Sequence, residues 1–440
     1  MTEIGLIGAT GIAERAILRP AGARADLRVR AVAASDPVRA KEFAARHEIP
    51  VVHNDYQSLL ADPEIDTVYI SLHNSAHHRW AVRAAVAGKR VIVEKPLCLS
   101  DDEVAELAFA AEQTQVFEAV ATIGHPWQGT VRGFVQDQNY GALRSVETRL
   151  TFAVPTPGGY RDHPELGGGT FYDSASYWLQ ALQATVGLDD PLEVSGSSDF
   201  DGPNGVDYAF HATLRWPNGT EAVLDCNFGD QHVADHIFTF DQAVIKARNF
   251  LRPMAGPLPL NLVILPTTGN RKVIGFPPTS YYETQLTRIL DTPTGASGSS
   301  GDSGNSGSSG NSGSSGDSGS FGNSGSGSSR NSGDSGSSGS SGSGSSGDSG
   351  SSGSGSSGSG SSGDSGSSGS SGSGGSGDIS SITMGSTVPG DSGDRTSGAP
   401  LGGASDPGAA SFDAGDDLGA AWVRVRLMGE VYAAAKGGRG

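Results

Sequence analysis

Over its first 121 residues the chain alternates short apolar runs with stretches in which apolar residues recur every three or four positions. That alternation predicts parallel strands joined by crossover helices. The pattern places strands at 3–7, 27–34, 51–52, 67–72, 90–93 and 116–121, and helices at 12–18, 37–46, 75–87 and 100–113. Ser100 with Glu103 makes a capping box at the start of the last helix. Beyond Pro126 the runs lengthen, at 143–152, 206–216, 221–228 and 262–265, with Pro217, Asn218 and Gly219 as a turn signal. A second, largely antiparallel sheet is predicted there. Further helices are predicted at 170–185 and 281–290, and a closing one at about 416–435. The closing helix carries Leu418, Ala421, Trp422, Val425, Met428 and Tyr432 at roughly helical spacing, and it is expected to pack back on the fold.

The fold class expected is α/β: an N-terminal Rossmann-type, doubly wound parallel sheet followed by an α+β domain with a large, mostly antiparallel sheet. Four segments follow from the pattern: 1–124 for the nucleotide domain, 125–294 for a substrate and oligomerisation domain, 295–412 as a low-complexity insert, and 413–436 as the closing helix. Residues 296–378 are almost wholly Gly and Ser, a composition with too little apolar surface to offset the entropy of ordering, so the segment is expected to be disordered. Lengthening a loop about eightfold costs roughly 2 kcal/mol of closure entropy, which a domain of this size tolerates. The island 379–384 is a weak strand candidate.

The net charge is −18, which argues against nucleic acid or an anionic membrane as partner. Two cysteines, Cys98 and Cys226, make neither a disulfide framework nor a metal-ligand spacing. No segment approaches about 20 consecutive apolar residues, and Met1 leads directly into the first strand without a secretory pattern. A cytoplasmic protein is expected.

Candidate chemistry begins at the first strand–helix turn, where Gly5, Gly8 and Gly11 stand in the context of a dinucleotide site. Gly8 permits a tight turn, and Gly11, Ile12 and Ala13 open a helix toward which a pyrophosphate can approach. Thr10 replaces the second glycine of the usual pattern; its Cβ would crowd the pyrophosphate or its hydroxyl would donate to it. At the end of the second strand the preferred acidic position is empty, and Ser35 with Arg39 suits a 2′-phosphate, so NADP is favoured over NAD. Asp36, before Pro37, reads better as a helix N-cap than as a ribose ligand. The run 91–97 ends an apolar strand in Glu94, Lys95 and Pro96, and Pro96 forces the chain out of the sheet so that Lys95 projects at the edge where such sheets bind ligands. The chain has six lysines in all, which makes an accidental one at this place less common. His73, His77 and His78 lack accompanying Cys or carboxylate ligands at metal spacing, so no metal is expected.

Taken together, these motifs resemble the glucose-fructose oxidoreductase, inositol dehydrogenase and rhizopine-catabolism (Gfo/Idh/MocA) oxidoreductase family. The matches are 8–13, Asn74 to His77 with Trp80, Gly88 and Lys89 leading to Glu94, Lys95 and Pro96, His125 with Pro126, and Leu166 to Gly169 before Asp173 and Tyr177. The resemblance covers about residues 1–291 and resumes near Asp413. Tyr177, where inositol dehydrogenases carry His, is more similar to the sugar and dihydrodiol dehydrogenase branch; His73 stands where the family usually has proline.

The resemblance implies an NAD(P)-dependent oxidoreductase moving hydride to or from a sugar or related cyclic polyol. It implies Lys95, Asp173 and Tyr177 as catalytic and substrate-orienting residues. Leu72, Asn74, His77, Glu94 and Lys95 join Gly8, Thr10, Gly11, Ile12, Ser35 and Arg39 as cofactor neighbours, with His125 as a further substrate contact or simply a strand end. Asp173 and Tyr177 are four apart on a predicted helix and share a face, and a nearby Lys95 ammonium is expected to lower the Tyr177 pKa from its ordinary value near 10. By analogy, a homo-oligomer through the second sheet is expected. Two other readings stay open: redox-assisted elimination or glycoside cleavage on tightly held NAD, and a non-catalytic ligand-binding relative, for which Thr10, His73 and the insert speak.

Overall fold

The computed structural model describes residues 1–188, 191, 193–292 and 417–437. The expected insert, the weak strand at 379–384 and the first residues expected in the closing helix lie outside the described residues.

Six parallel strands form the first sheet: β1 (Thr2–Ile7), β2 (Leu27–Ala33), β3 (Val51–Val52), β4 (Thr67–Ile70), β5 (Arg90–Glu94) and β6 (Val116–Ala119), in the spatial order β3-β2-β1-β4-β5-β6. The order reverses between β1 and β4, the switch point of a doubly wound fold. Its helices are α1 (Gly11–Ala13), α2 (Arg19–Gly22), α3 (Pro37–His47), α4 (Tyr56–Leu60), α5 (Asn74–Val86) and α6 (Asp101–Ala110). A π-helical turn, Glu14–Leu18, joins α1 to α2, so the helix expected at 12–18 runs through residue 22. Strands β4 and β6 each stop two residues short of the expected ends, because Ser71 and Val120 already begin the loops at the carboxyl edge.

The second sheet has eight strands: β7 (Leu143–Phe152), β8 (Glu193–Ser197), β9 (Ala209–Arg215), β10 (Glu221–Phe228), β11 (Val233–Phe240), β12 (Ala243–Arg248), β13 (Leu258–Pro266) and β14 (Lys272–Thr279). Their order is β14-β13-β12-β11-β7-β10-β9-β8, with every pair antiparallel except β7 with β10. Four of these strands, β8, β11, β12 and β14, and helix α7 (Pro126–Gln136) were not predicted. Glycines and β-branched residues weaken the helical signal of α7, yet His125 caps it and Pro126 occupies its first position. The remaining helices are α8 (Thr170–Thr185), α9 (Tyr281–Asp291) and α10 (Asp417–Gly437).

Alternation along the strands decides which helix covers which face. In β5, Val91 and Val93 pack with Leu418, Ala421 and Val425 of α10, while Ile92 lies in the cluster holding Tyr281, Tyr282 and Leu286 of α9. The two C-terminal helices therefore help cover opposite faces of the parallel sheet. The later part of α10, with Leu427, Met428 and Val431, belongs instead to the core beneath the eight-stranded sheet, where Trp127, Phe171 and Trp178 are buried. Arg288 of α9 donates to Asp417 of α10 at 2.5 Å, which brings the two ends of the segment 293–416 together.

Candidate active site

Strands β2, β1, β4 and β5 are neighbours, so the residues that follow their carboxyl ends line one edge. Ser35, Gly8 to Ile12, Leu72 to His77 and Glu94 to Lys95 all lie there. At the β1–α1 turn Gly8 has φ +116°, and a Cβ there would lie 2.6 Å from the Ser71 carbonyl oxygen, so no larger residue fits. The Thr10 hydroxyl accepts from the Ala13 N–H at 3.2 Å and shares a 2.8 Å hydrogen bond with the Ser71 hydroxyl. It is thus engaged inside the turn, as a helix cap, and neither of the two arrangements expected for it describes this contact.

Along the neighbouring loop Asn74 donates to the Gly167 carbonyl at 2.8 Å. The His77 ring lies between two main-chain carbonyls, with Nδ1 2.7 Å from Pro96 O and Nε2 3.1 Å from Leu72 O. Burial pushes its pKa down to about 4. Neutral imidazole then donates to one carbonyl only, so His77 buttresses the two loops that carry Leu72 and Lys95. His73 pairs with Ser75 and His78 with Glu106, so the three histidines face three different partners.

Lys95 reaches from the end of β5 to α8. Its ammonium donates to the Asp173 main-chain carbonyl at 3.0 Å and to the Asp173 carboxylate at 3.3 Å, and it lies 5.4 Å from the centre of the Tyr177 ring. Arg161, in the loop before α8, grips the same carboxylate with Nε on Oδ2 and Nη2 on Oδ1, and the Tyr160 hydroxyl approaches Oδ1 at 3.5 Å. Burial opposes ionisation of Asp173, but Arg161 and then Lys95 outweigh it and hold the carboxyl below the ordinary carboxylate range. Asp173, expected among the substrate-orienting residues, is a carboxylate that holds Lys95, Arg161 and Tyr160.

Tyr177 differs from expectation more sharply. Burial, and then the neighbouring Tyr282, Glu94 and Asp173, push its phenol well above 10, so the net shift is upward with the Lys95 ammonium beside the ring. Among the described residues its hydroxyl makes no hydrogen bond. Glu94, partly buried, has its pKa raised by burial and accepts from the Tyr69 hydroxyl at 2.5 Å.

Residues 2–122 match the model of an oxidoreductase family with an NAD-binding Rossmann fold, and residues 129–240 match the GFO/IDH/MocA C-terminal domain. Over 227 residues the chain is 31% identical to a D-xylose 1-dehydrogenase (NADP(+)) of Haloferax volcanii, spanning 51% of this chain and 69% of that protein. This chain belongs to the GFO/IDH/MocA oxidoreductase family. A trans-1,2-dihydrobenzene-1,2-diol dehydrogenase of Sus scrofa is 30% identical over 211 residues, 47% of this chain and 62% of that one. A 3-ketoreductase from Actinomadura kijaniata, solved with NADP and TDP-benzene, shares the fold at a TM-score of 0.60 and 24% identity, covering 66% of this chain and 88% of that one. The protein is an NAD(P)-dependent oxidoreductase. No helix among its described residues is long and apolar enough to cross a membrane.

The edge of this GFO/IDH/MocA sheet fits a dinucleotide. Gly8 lets the turn close against Ser71, and the helical run beginning at Gly11 presents its amino end beside that turn. Gly8, Gly11, Ile12, Leu72, Asn74, Glu94 and Lys95 lie along this edge and would be the residues to hold the group. Ser35 is exposed beyond β2, and Asp36 caps α3 by accepting from the Val38 N–H at 2.8 Å. His125 sits at the amino end of α7. Its Nδ1 accepts from the Trp127 N–H at 3.2 Å, its ring packs edge-on against Phe276 and Tyr281, and burial pushes its pKa down to about 4.

Sequence reasoning missed Tyr160, Arg161 and Asp207. The triple glycine offered an indirect signal for the first two: a Cβ on Gly168 would lie 2.6 Å from the Arg161 carbonyl oxygen, so the glycine lets that loop press against the start of α8. Asp207, which accepts from the Phe171 N–H at 2.7 Å and caps α8 from a distant loop, left no signal in the pattern.

Proposed function

We propose that this enzyme moves hydride between NADP and a carbinol carbon of a sugar or related cyclic polyol, with Lys95, Asp173 and Tyr177 as its catalytic set. The observation that carries the reading is the grouping of the Lys95 ammonium, the ionised Asp173 and the Tyr177 phenol where β5 meets α8. The nicotinamide supplies the hydride acceptor or donor. The protein's own side chains handle the proton. A phenol held above its ordinary pKa stays protonated, so Tyr177 is poised to donate to a carbonyl oxygen as it gains charge. Lys95 offers a second donor beside it, held in place by Asp173. The names of the xylose and dihydrodiol dehydrogenases support a ring with neighbouring hydroxyls as substrate.

NADP is preferred in this reading because the first acid after β2, Asp36, is occupied as a helix cap, and Ser35 and Arg39 follow the same strand end, a pair suited to a 2′-phosphate. The domains are taken as 1–124 and 125–294 with the closing helix, and the protein as cytoplasmic. The outer face of the eight-stranded sheet, with Val223, Ile237, Val263 and Leu265, is the surface for a second copy. The test is a panel of aldoses and cyclic diols including D-xylose, with NADP and NAD in the oxidising direction and with the matching ketones or lactones and NADPH in the other. Tyr177→Phe should lower turnover by roughly 10²–10⁴ while NADPH binding persists. Unchanged turnover in that variant, or no nucleotide binding by the wild type, overturns the reading.

A further inference from the structure

The geometry points to Glu118 and Arg424 as positioning residues that set the distance between Lys95 and Tyr177. Glu118 lies near the carboxyl end of β6, and its carboxylate is divided between two tasks. Oε1 accepts from the Leu97 N–H at 3.2 Å and from the Ser176 hydroxyl at 3.4 Å. Leu97 is two residues beyond Lys95, and Ser176 immediately precedes Tyr177. One oxygen therefore ties the loop that carries the lysine to the helix that carries the tyrosine.

Oε2 belongs to Arg424 of α10, which donates to it from Nε at 3.0 Å and from Nη2 at 2.5 Å. The side chains of Arg424 and Glu118 are 3% and 1% exposed. Burying a carboxylate this deeply carries a desolvation cost that a paired cation offsets, and Arg424 is the one cation paired with it among the described residues. The guanidinium is itself oriented: Nη1 donates to Gln183 of α8, whose amide donates in turn to the Ala420 carbonyl at 3.2 Å. Arg424 therefore reaches the Lys95 loop through Glu118, although it lies 306 residues from Glu118 in the chain.

The consequence for rate rests on the reading of Lys95 and Tyr177 as proton-handling groups, because a displacement of about 1 Å between reacting groups can cost on the order of 10² in turnover. The clamp itself has an independent readout, amide exchange at Leu97. Full-length wild type, Arg424→Met, Arg424→Lys and the pair Arg424→Met with Glu118→Gln are compared by hydrogen exchange resolved to short peptides. Segment 96–99 reports the clamp, 193–197 reports the seat of α10 on β8, and 4–7 reports the distant part of the sheet.

Arg424→Met should raise exchange at Leu97 by about tenfold or more, with 193–197 and 4–7 changed much less. The paired variant should return Leu97 toward wild type, because the Gln carbonyl still accepts and no unpaired charge remains. With D-xylose or whichever substrate of the panel is turned over, kcat should fall in Arg424→Met while the Kd for NADPH stays within about twofold. If Arg424→Met does not fold, Arg424→Lys carries the test: charge without the fork should give intermediate exchange at Leu97. Unchanged exchange at Leu97 overturns the inference, as does an equal rise at 193–197, which would mean that the helix had merely left its seat. Raised exchange at Leu97 with no activity on any substrate supports the clamp and counts against the functional reading alone.

Discussion

Lys95 and Asp173 are joined twice: the ammonium donates to the main-chain carbonyl of Asp173 and to its carboxylate, at 3.0 and 3.3 Å. A strand-end lysine of the parallel sheet is thereby fastened to the helix of the second domain that also carries Tyr177. The Lys95 side chain is 13% exposed and that of Asp173 6%, so water competes little for the contact. Removing the ammonium leaves Asp173 with Arg161, and the fold should survive. Lys95→Met is expected to lower kcat/KM by roughly 10²–10⁴ with little change in the melting temperature. Steady-state kinetics alongside thermal melts check this, and a large loss of stability with a normal rate would refute it.

Cofactor choice should turn on the residue after Ala34. Ser35 is exposed and carries no charge, whereas an acid there would receive ribose hydroxyls and repel a 2′-phosphate. Ser35→Asp is expected to weaken NADP binding by about tenfold or more and to strengthen NAD, as read by calorimetry on both proteins. Equal affinities before and after the substitution would remove Ser35 from the ribose.

Acid should destabilise the protein through buried histidines. Burial lowers His77 and His125 to about 4 and His236 to about 3, all below the value of 6.5 expected in the unfolded chain. The native state then binds fewer protons, so this stability is present above pH 6.5 and is lost as pH falls toward 4. Each unit is about 1.4 kcal/mol, so each histidine contributes up to roughly 3 kcal/mol across the window. Asp207 acts oppositely: burial raises it to about 7, so its contribution is present at low pH and lost as pH rises through 7. Glu94, also raised by burial, acts in the same sense; the three histidines outweigh these two carboxyls, and the melting temperature should drop between pH 6.5 and 4.5. His236, stacked on Phe250 and bonded to Thr148, is far from the proposed chemistry. His236→Phe with Thr148→Val should therefore flatten that slope, and an unchanged slope would show that His236 contributes nothing to it.

The Gly/Ser stretch should be removable. Arg288 and Asp417 hold the ends of the segment together at 2.5 Å, so a short linker suffices where residues 296–378 are deleted. The deletion is expected to leave the melting temperature within a few degrees and turnover unchanged, since loop entropy grows only as the logarithm of length. Loss of folding on that deletion would contradict a spacer role.

Much of the nucleotide-binding half was legible in the pattern because parallel strands and crossover helices are local, strongly periodic elements. The turn at Gly8, the cap at Asp36 and the exit of Lys95 at Pro96 all depend on neighbours a few residues away. The second sheet was less legible. In β11 the buried face is Ala234, His236, Phe238 and Phe240, and a histidine among them breaks the apolar alternation by which a strand announces itself. Helix α7 was hidden by its glycines.

The sequence by itself determined the alternating strands and helices of the first sheet, the glycine turn, and the presence of Lys95, Asp173 and Tyr177. Tertiary structure decided how those groups are charged and held. Arg161 anchors Asp173, burial and three acidic or phenolic neighbours keep the Tyr177 proton, and Arg424 neutralises Glu118 behind the Lys95 loop. Ionisation and placement depend on desolvation and on charges within a few ångströms, and folding brings those groups together from parts of the chain that no local pattern connects.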